Sequence, residues 1–126
     1  KTPVKASAIL EAISGKALTD VEGINANLYG YTVLDSINTI YTLSGLDFYR
    51  ILGATTERVL IFTKVGMGRS PMVAIRVSQL KPRMVVLHGP KVVDPLAIQL
   101  AQKDKIVLGL STLSDEQSFG DILSKL

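Results

Sequence analysis

The sequence predicts an α/β fold, three-layered around a mostly parallel central sheet, with Rossmann-like β-loop-α units in its C-terminal half. Three observations carry this expectation. Continuous apolar runs recur at Val59 to Thr63 (VLIFT), Met84 to His88 (MVVLH) and Ile106 to Leu110 (IVLGL), without the polar alternation of a strand that has one wet face. Each run is followed by a short polar loop and an amphipathic segment. Each of those segments opens on a helix-start signal.

Taken in order, Thr2 and Pro3 read as a cap and a first helical residue. They would open a helix with the apolar face Ala6, Ile9, Leu10 and Ile13, closed by Gly15. A short strand is expected from Tyr31 to Leu34. Ile37, Ile40 and Tyr41 in 36–44, then Leu46, Tyr49 and Leu52 in 46–52, have the spacing of two short helices broken at Gly45. After the first apolar run, Ser70 and Pro71 start a helix with the stripe Val73, Val77 and Leu80. After the second, Asp94 and Pro95 start one with the face Leu96, Ala97, Leu100 and Ala101. After the third, Ser114 and Gln117 form a capping box ahead of Phe119, Ile122, Leu123 and Leu126. Strand, loop and helix thus alternate three times, and right-handed crossovers would make the strands neighbours.

With 126 residues, 47% apolar and 20% charged, the chain can bury one core and is too apolar for disorder. No apolar run approaches the ~18 residues of a membrane span, and no signal-peptide pattern opens the chain. Cysteine is absent, which excludes disulfides, thiolate metal sites and a Cys nucleophile. These features suit a cytoplasmic protein without membrane contact. The chain opens on Lys1 rather than Met, and residues 1–126 are expected to be one α/β regulatory domain of a longer protein.

The net charge of +3 conceals an asymmetry. Between Lys64 and Lys91 lie six basic residues (Lys64, Arg69, Arg76, Lys81, Arg83, Lys91) and the single His88, with no carboxylate. The rest of the chain is net acidic. Such a basic island points to an acidic partner, or else to a solvated surface. In a parallel sheet the loops leaving the carboxyl ends of the strands share one rim, where ligands gather. Lys64, Arg69, His88 and Lys91 belong to that rim, whereas Lys81 and Arg83 precede the second run and belong to the opposite end. Three helix N-termini and the hydroxyls of Ser70, Ser111, Thr112 and Ser114 would join them. Each exposed helix N-terminus favours an anion by about 0.3–1 kcal/mol.

The stretch Gly66-Met67-Gly68-Arg69-Ser70 has two readings. It lacks the Lys-Ser/Thr of a phosphate-binding P-loop, and Pro71 stands where a dinucleotide fingerprint has its third glycine. A tight turn with a Ser-Pro cap accounts for every residue but Arg69, and an anion cradle accounts for Arg69 too. His88 reads either as a general base oriented by Asp94 or as a half-buried strand-end histidine bonded to backbone. No paired histidines or clustered carboxylates suggest a metal, and no base stands beside a nucleophile. Helix-turn-helix and RNP-like signatures are missing, so nucleic acid is not an expected partner of this segment alone.

The pattern VLIFTKVGMGRSPMV, then PRMVVLHGP, then DPLAIQLAQKDKIVLGLSTLSDEQ resembles the DRTGG domain, a small α/β regulatory module. Such domains are fused to CBS pairs or phosphotransacetylases and are similar in fold to the N-terminal domain of HPr kinase. The resemblance covers roughly residues 55 to 126. It sets Gly68-Arg69 at the family's Asp-Arg turn, His88-Gly89-Pro90 at its Thr-Gly-Gly and Ser111-Thr112 at its last strand exit. The Asp and Thr are replaced here and Pro90 stands for the second Gly, so residue-level transfer rests on Arg69, Gly89 and Thr112. The chain is also similar to effector halves of archaeal transcription regulators, whose DNA-binding helices would lie in a separate N-terminal portion.

The combined expectation is a non-catalytic regulatory domain sensing a small anionic ligand, phosphorylated or nucleotide-like, without cofactor or metal. Its ligand residues would be Lys64, Gly66, Gly68, Arg69, Ser70, His88, Gly89, Ser111 and Thr112. The domain is expected to be a homodimer and to meet DNA only through another domain. The rival readings are a ligand-free dimerisation or docking module and, behind it, an enzyme acting on a phosphorylated substrate.

Overall fold

The computed structural model describes residues 3–19, 27–35, 58–63, 65, 72, 75, 82–90, 92–113 and 119–125. Among them run β1 (Val4–Lys5), α1 (Ala6–Ala12), β2 (Gly15–Ala17), β3 (Asn27–Leu28), β4 (Tyr31–Asp35) and β5 (Val59–Thr63). Then come β6 (Met84–His88), α2 (Pro95–Lys103), β7 (Val107–Ser111) and α3 (Phe119–Ser124). Met72 and Ile75, between β5 and β6, are helical too. No helix among the described residues is long and apolar enough to cross a membrane.

β1 and β3 form a small antiparallel pair, and the main sheet has the order β2-β7-β6-β5-β4. Strands β4 to β7 are parallel and adjacent in chain order, while β2 runs antiparallel along β7. Alternate side chains of the parallel strands feed two cores. Leu60, Phe62, Val85, Leu87, Leu108 and Leu110 pack with Met72, Ile75, Ala97 and Ala101 on one face. Val59, Ile61, Met84, Val86 and Val107 pack with α1 and α3 on the other. Three layers result, and burial on both sides is why these strands are apolar throughout.

Several boundaries differ from the sequence reading, each for a local reason. The first helix starts at Ala6, because Val4 and Lys5 are extended and pair with Leu28 and Asn27. Its predicted face of Ala6, Ile9, Leu10 and Ile13 is buried. It ends through Ser14 at φ 54° rather than through Gly15, which opens β2 instead. The last apolar run enters the sheet one residue late. Lys105 takes φ 58°, its N–H bonds the Gln102 carbonyl at 3.2 Å, and the Ile106 N–H bonds that of Ala101 at 2.9 Å. This is a Schellman motif in which a lysine holds the position glycine favours. Leu96 stands 37% exposed, outside the buried face of α2, and Ile98 packs on the core in its place. Met72 and Ile75 are the buried residues of their segment. Val73, Val77 and Leu80, the helices expected over 36–52 and the Ser114 to Gln117 box lie outside the described residues.

Side chains complete the backbone pairing at both ends of the sheet. Beyond β2, the buried Thr19 hydroxyl donates to the Ile106 carbonyl and accepts from the Leu108 N–H, both at 3.0 Å. The Leu18 N–H still bonds the Leu108 carbonyl at 2.7 Å, and the threonine hydroxyl then stands in for the next backbone acceptor and donor along β7. At the other end, the Val59 N–H bonds the Gly30 carbonyl at 3.0 Å, so the Tyr31 carbonyl points away from β5 to the outer edge. Arg58 reaches that carbonyl with Nη2 and the Thr32 hydroxyl with Nε, each at 2.7 Å. It crosses β4 over Gly30, where a Cβ would collide with the guanidinium. A charge so placed blunts a sheet edge.

Two stability outcomes follow. Lys105→Gly removes a left-handed lysine and raises unfolding free energy by about 0.5–1 kcal/mol in urea titration. Thr19→Val leaves two buried backbone groups unpaired and lowers it by about 1–3 kcal/mol, with Thr19→Ser losing clearly less.

Candidate functional site

The carboxyl ends of β5, β6 and β7 lie side by side, as the parallel register requires. His88 pairs in register with Ser111, and the Val65 N–H, just past β5, bonds the His88 carbonyl at 3.1 Å. Gly89 leaves β6 at φ 116°, a conformation that favours glycine, and is exposed. The exits then part. Those of β5 and β6 lead to the face that holds Met72, Ile75 and α2, while that of β7 leads to the face of α1 and α3. Strand order never reverses among β4 to β7, yet the exits of β6 and β7 diverge to opposite faces, and it is in the opening such a divergence favours that α/β sheets bind ligands.

The two sides of this opening differ in character. Ser111 is the last residue of β7 rather than part of the loop, and it is buried. Its hydroxyl donates to the Ile13 carbonyl at 2.6 Å and accepts from the Leu113 N–H at 3.2 Å. Thr112 is exposed, and both its N–H (3.1 Å) and its hydroxyl (3.0 Å) donate to the Ser14 carbonyl. These are carbonyls at the C-terminal end of α1, which lack partners within the helix and carry partial negative charge. The hydroxyl protons expected to meet a ligand are therefore engaged in holding α1. A helix C-terminus also makes the β7 side unfavourable for an anion.

On the other side, Asp94 caps α2 as predicted, its Oδ1 accepting the Leu96 N–H at 2.8 Å. That bond satisfies an amide an anion would otherwise use, and it adds a negative charge at this helix start. Of the three helix N-termini expected at the rim, that of α2 is capped by its own carboxylate, and those at Ser70 and Ser114 lie outside the described residues.

His88 is half-buried between the two sides. Its Nε2 lies 2.7 Å from the Leu113 carbonyl, and since a carbonyl only accepts, that nitrogen carries a proton. The ring stands edge-on to Phe119, with centroids 5.2 Å apart and planes at 87°. Of its two sequence readings, the backbone-bonded strand-end histidine matches this geometry. Lys64, Gly66, Gly68, Arg69 and Ser70 lie outside the described residues, as does Lys91. Arg83 sits just before β6, at the end of the sheet opposite the rim, as expected. The described residues contain no group of three or more His, Asp or Glu able to hold a metal.

Sequence reasoning missed the Leu113 carbonyl, Phe119 as the partner of His88, and the α1 carbonyls at the β7 exit. A pattern of side chains carries no signal for backbone acceptors brought from 98 residues away.

Comparison with known proteins fits this architecture. No protein-family model matches the sequence. The chain is 47% identical over 122 residues to an uncharacterized HTH-type transcriptional regulator of Archaeoglobus fulgidus, covering 95% of this chain and 50% of that protein. It is 46% identical over 110 residues to another such regulator of Methanocaldococcus jannaschii, covering 86% of this chain and 45% of that protein. The chain thus spans about half the length of these curated relatives. Among solved structures it is similar to the CBS and DRTGG domains of the regulatory region of Clostridium perfringens pyrophosphatase, a structure complexed with the activator diadenosine tetraphosphate. The TM-score is 0.65 at 14% identity, covering 94% of this chain and 45% of that one, a likeness of fold. Both resemblances read from the sequence, to DRTGG-type regulatory modules and to part of archaeal transcription regulators, are met.

Ser111→Ala leaves the buried Ile13 carbonyl and the Leu113 N–H without their shared partner, and costs about 1–3 kcal/mol in chemical denaturation. Thr112→Ala retains its backbone bond to Ser14 and costs less than about 1 kcal/mol.

Proposed function

We propose that this chain is the non-catalytic effector part of an archaeal-type transcription regulator, and that it senses a small anionic ligand, phosphorylated or nucleotide-like, at the exits of β5 and β6. The observation that carries the reading is the Val65–His88 bond beside an exposed Gly89 at positive φ. It holds the start of the glycine- and arginine-bearing segment against a strand exit that opens on a residue without a side chain. Lys64 and Arg69 supply charge, Gly66, Gly68 and Gly89 allow close backbone approach, and Ser70 supplies a hydroxyl. Ser111, Thr112 and His88 frame the opening.

The named regulator relatives and the nucleotide-bound regulatory neighbour support this class of function. DNA contact falls to another part of the protein, which acts in the cytoplasm. Self-association as a homodimer uses a surface other than the outer edge of β4, which Arg58 covers. Without an activated nucleophile or a base in the scheme, binding rather than turnover is the output.

The test is a thermal-shift and calorimetric screen of nucleotides, sugar phosphates and inorganic phosphate. At least one is expected to raise Tm, and Arg69→Ala to abolish the shift while leaving the unliganded Tm unchanged. A panel without any shift, together with a dimer in light scattering, would establish the ligand-free docking module instead.

A further inference from the structure

We infer that His88 is a relay between the proposed ligand exits and α3, a positioning residue that converts occupancy on one face of the sheet into a change on the other. The inference rests on the ligand reading above.

His88 is attached to the exits of β5, β6 and β7. Its carbonyl takes the Val65 N–H from the β5 exit (3.1 Å), and its own chain continues directly into Gly89. Its Nε2–H holds the Leu113 carbonyl of the β7 exit at 2.7 Å, across the line where the exits part. Its ring rests on Phe119, the first residue of α3, which is fully buried. A ligand seated against Gly89, or held by the residues after Val65, therefore acts on the His88 backbone at one or both of these points. The side chain passes that displacement to Leu113 and Phe119.

The receiving element is suited to move as a unit. α3 has six residues, with Phe119 and Leu123 buried, and among the bonds described its polar tie to the sheet is the Tyr31 hydroxyl to the Gly120 carbonyl at 3.4 Å. That bond is near the outer limit of hydrogen-bonding distance. Short helices held by a few contacts open at low free energy, so a change at His88 alters their population measurably. Leu113 is also tied to Ser111, and through its hydroxyl to Ile13, so α1 shares the same junction.

The experiment uses the full 126-residue chain with ATP and inorganic phosphate as probes. Binding is read by calorimetry, and amide hydrogen exchange is read over Leu113 and Phe119 to Lys125. In the wild type the bound probe is expected to change exchange in α3 by about fivefold or more. His88→Phe keeps a ring against Phe119 but loses the donor. Compared with the wild type at saturating probe, whatever its affinity, it should lose the α3 response. His88→Gln, which retains a side-chain N–H, should recover part of the response. A measurement without substitution stands beside these: in the wild type, the His88 Nε2 proton resonance should shift in step with the amides of α3 as probe is added. Binding with α3 unchanged, or a full response in His88→Phe, overturns the relay and leaves the ligand reading intact. Failure of both probes to bind, together with the absence of any shift across the nucleotide and sugar-phosphate panel, overturns the ligand reading, and the relay with it.

Discussion

The architecture depends on how closely α1 can approach β7. Leu10 lies over β7 where the strand has no side chain: a Cβ on Gly109 would stand 2.5 Å from Leu10 Cδ2, and one on Gly15 would stand 3.0 Å from the same atom. Two glycines on adjacent antiparallel strands make a notch, and the leucine fills it. With the helix seated this low, its last carbonyls come within reach of Ser111 and Thr112. The turn after it is then short enough for β2 to fold straight back along β7. Hydrophobic fit and backbone pairing reinforce each other at one strand.

That arrangement settles which end of the sheet is electrically suited to what. A helix C-terminus closes the β7 exit, and α2 at the β6 exit is capped by its own aspartate. In the proposed ligand reading, positive charge at this end would come from the side chains of Lys64, Arg69 and Lys91. Gly89, exposed and left-handed, is the place where a ligand could approach backbone directly. The contrast with a dinucleotide-binding sheet is clear, since there helix N-termini and a reversal of strand order do this work together.

The sheet's outer edge shows a second use of an absent side chain. Gly30 lets Arg58 cross β4 and occupy the Tyr31 carbonyl. An edge treated this way resists addition of another strand. Glycine in this chain thus admits a leucine beside β7, from within strands, and an arginine at the start of β4, from the residue just before it.

Much of this was written into local pattern. The runs at 59–63 and 84–88 are β5 and β6 to the residue, because a strand buried on both faces shows itself as uninterrupted apolar sequence. The face of α1, the Asp94 cap and the α/β class were legible for similar reasons of periodicity and cap chemistry. Tertiary structure alone decided that Gly15 to Ala17 would be a strand, since a three-residue segment has no pattern until β7 offers it a ladder. It also decided that Ser14 and Lys105 would take left-handed turns, that Ser111 would face inward, and that His88 would find a carbonyl rather than a carboxylate. Sequence determines what a residue can donate, accept or bury; which distant backbone group stands opposite depends on how the layers meet.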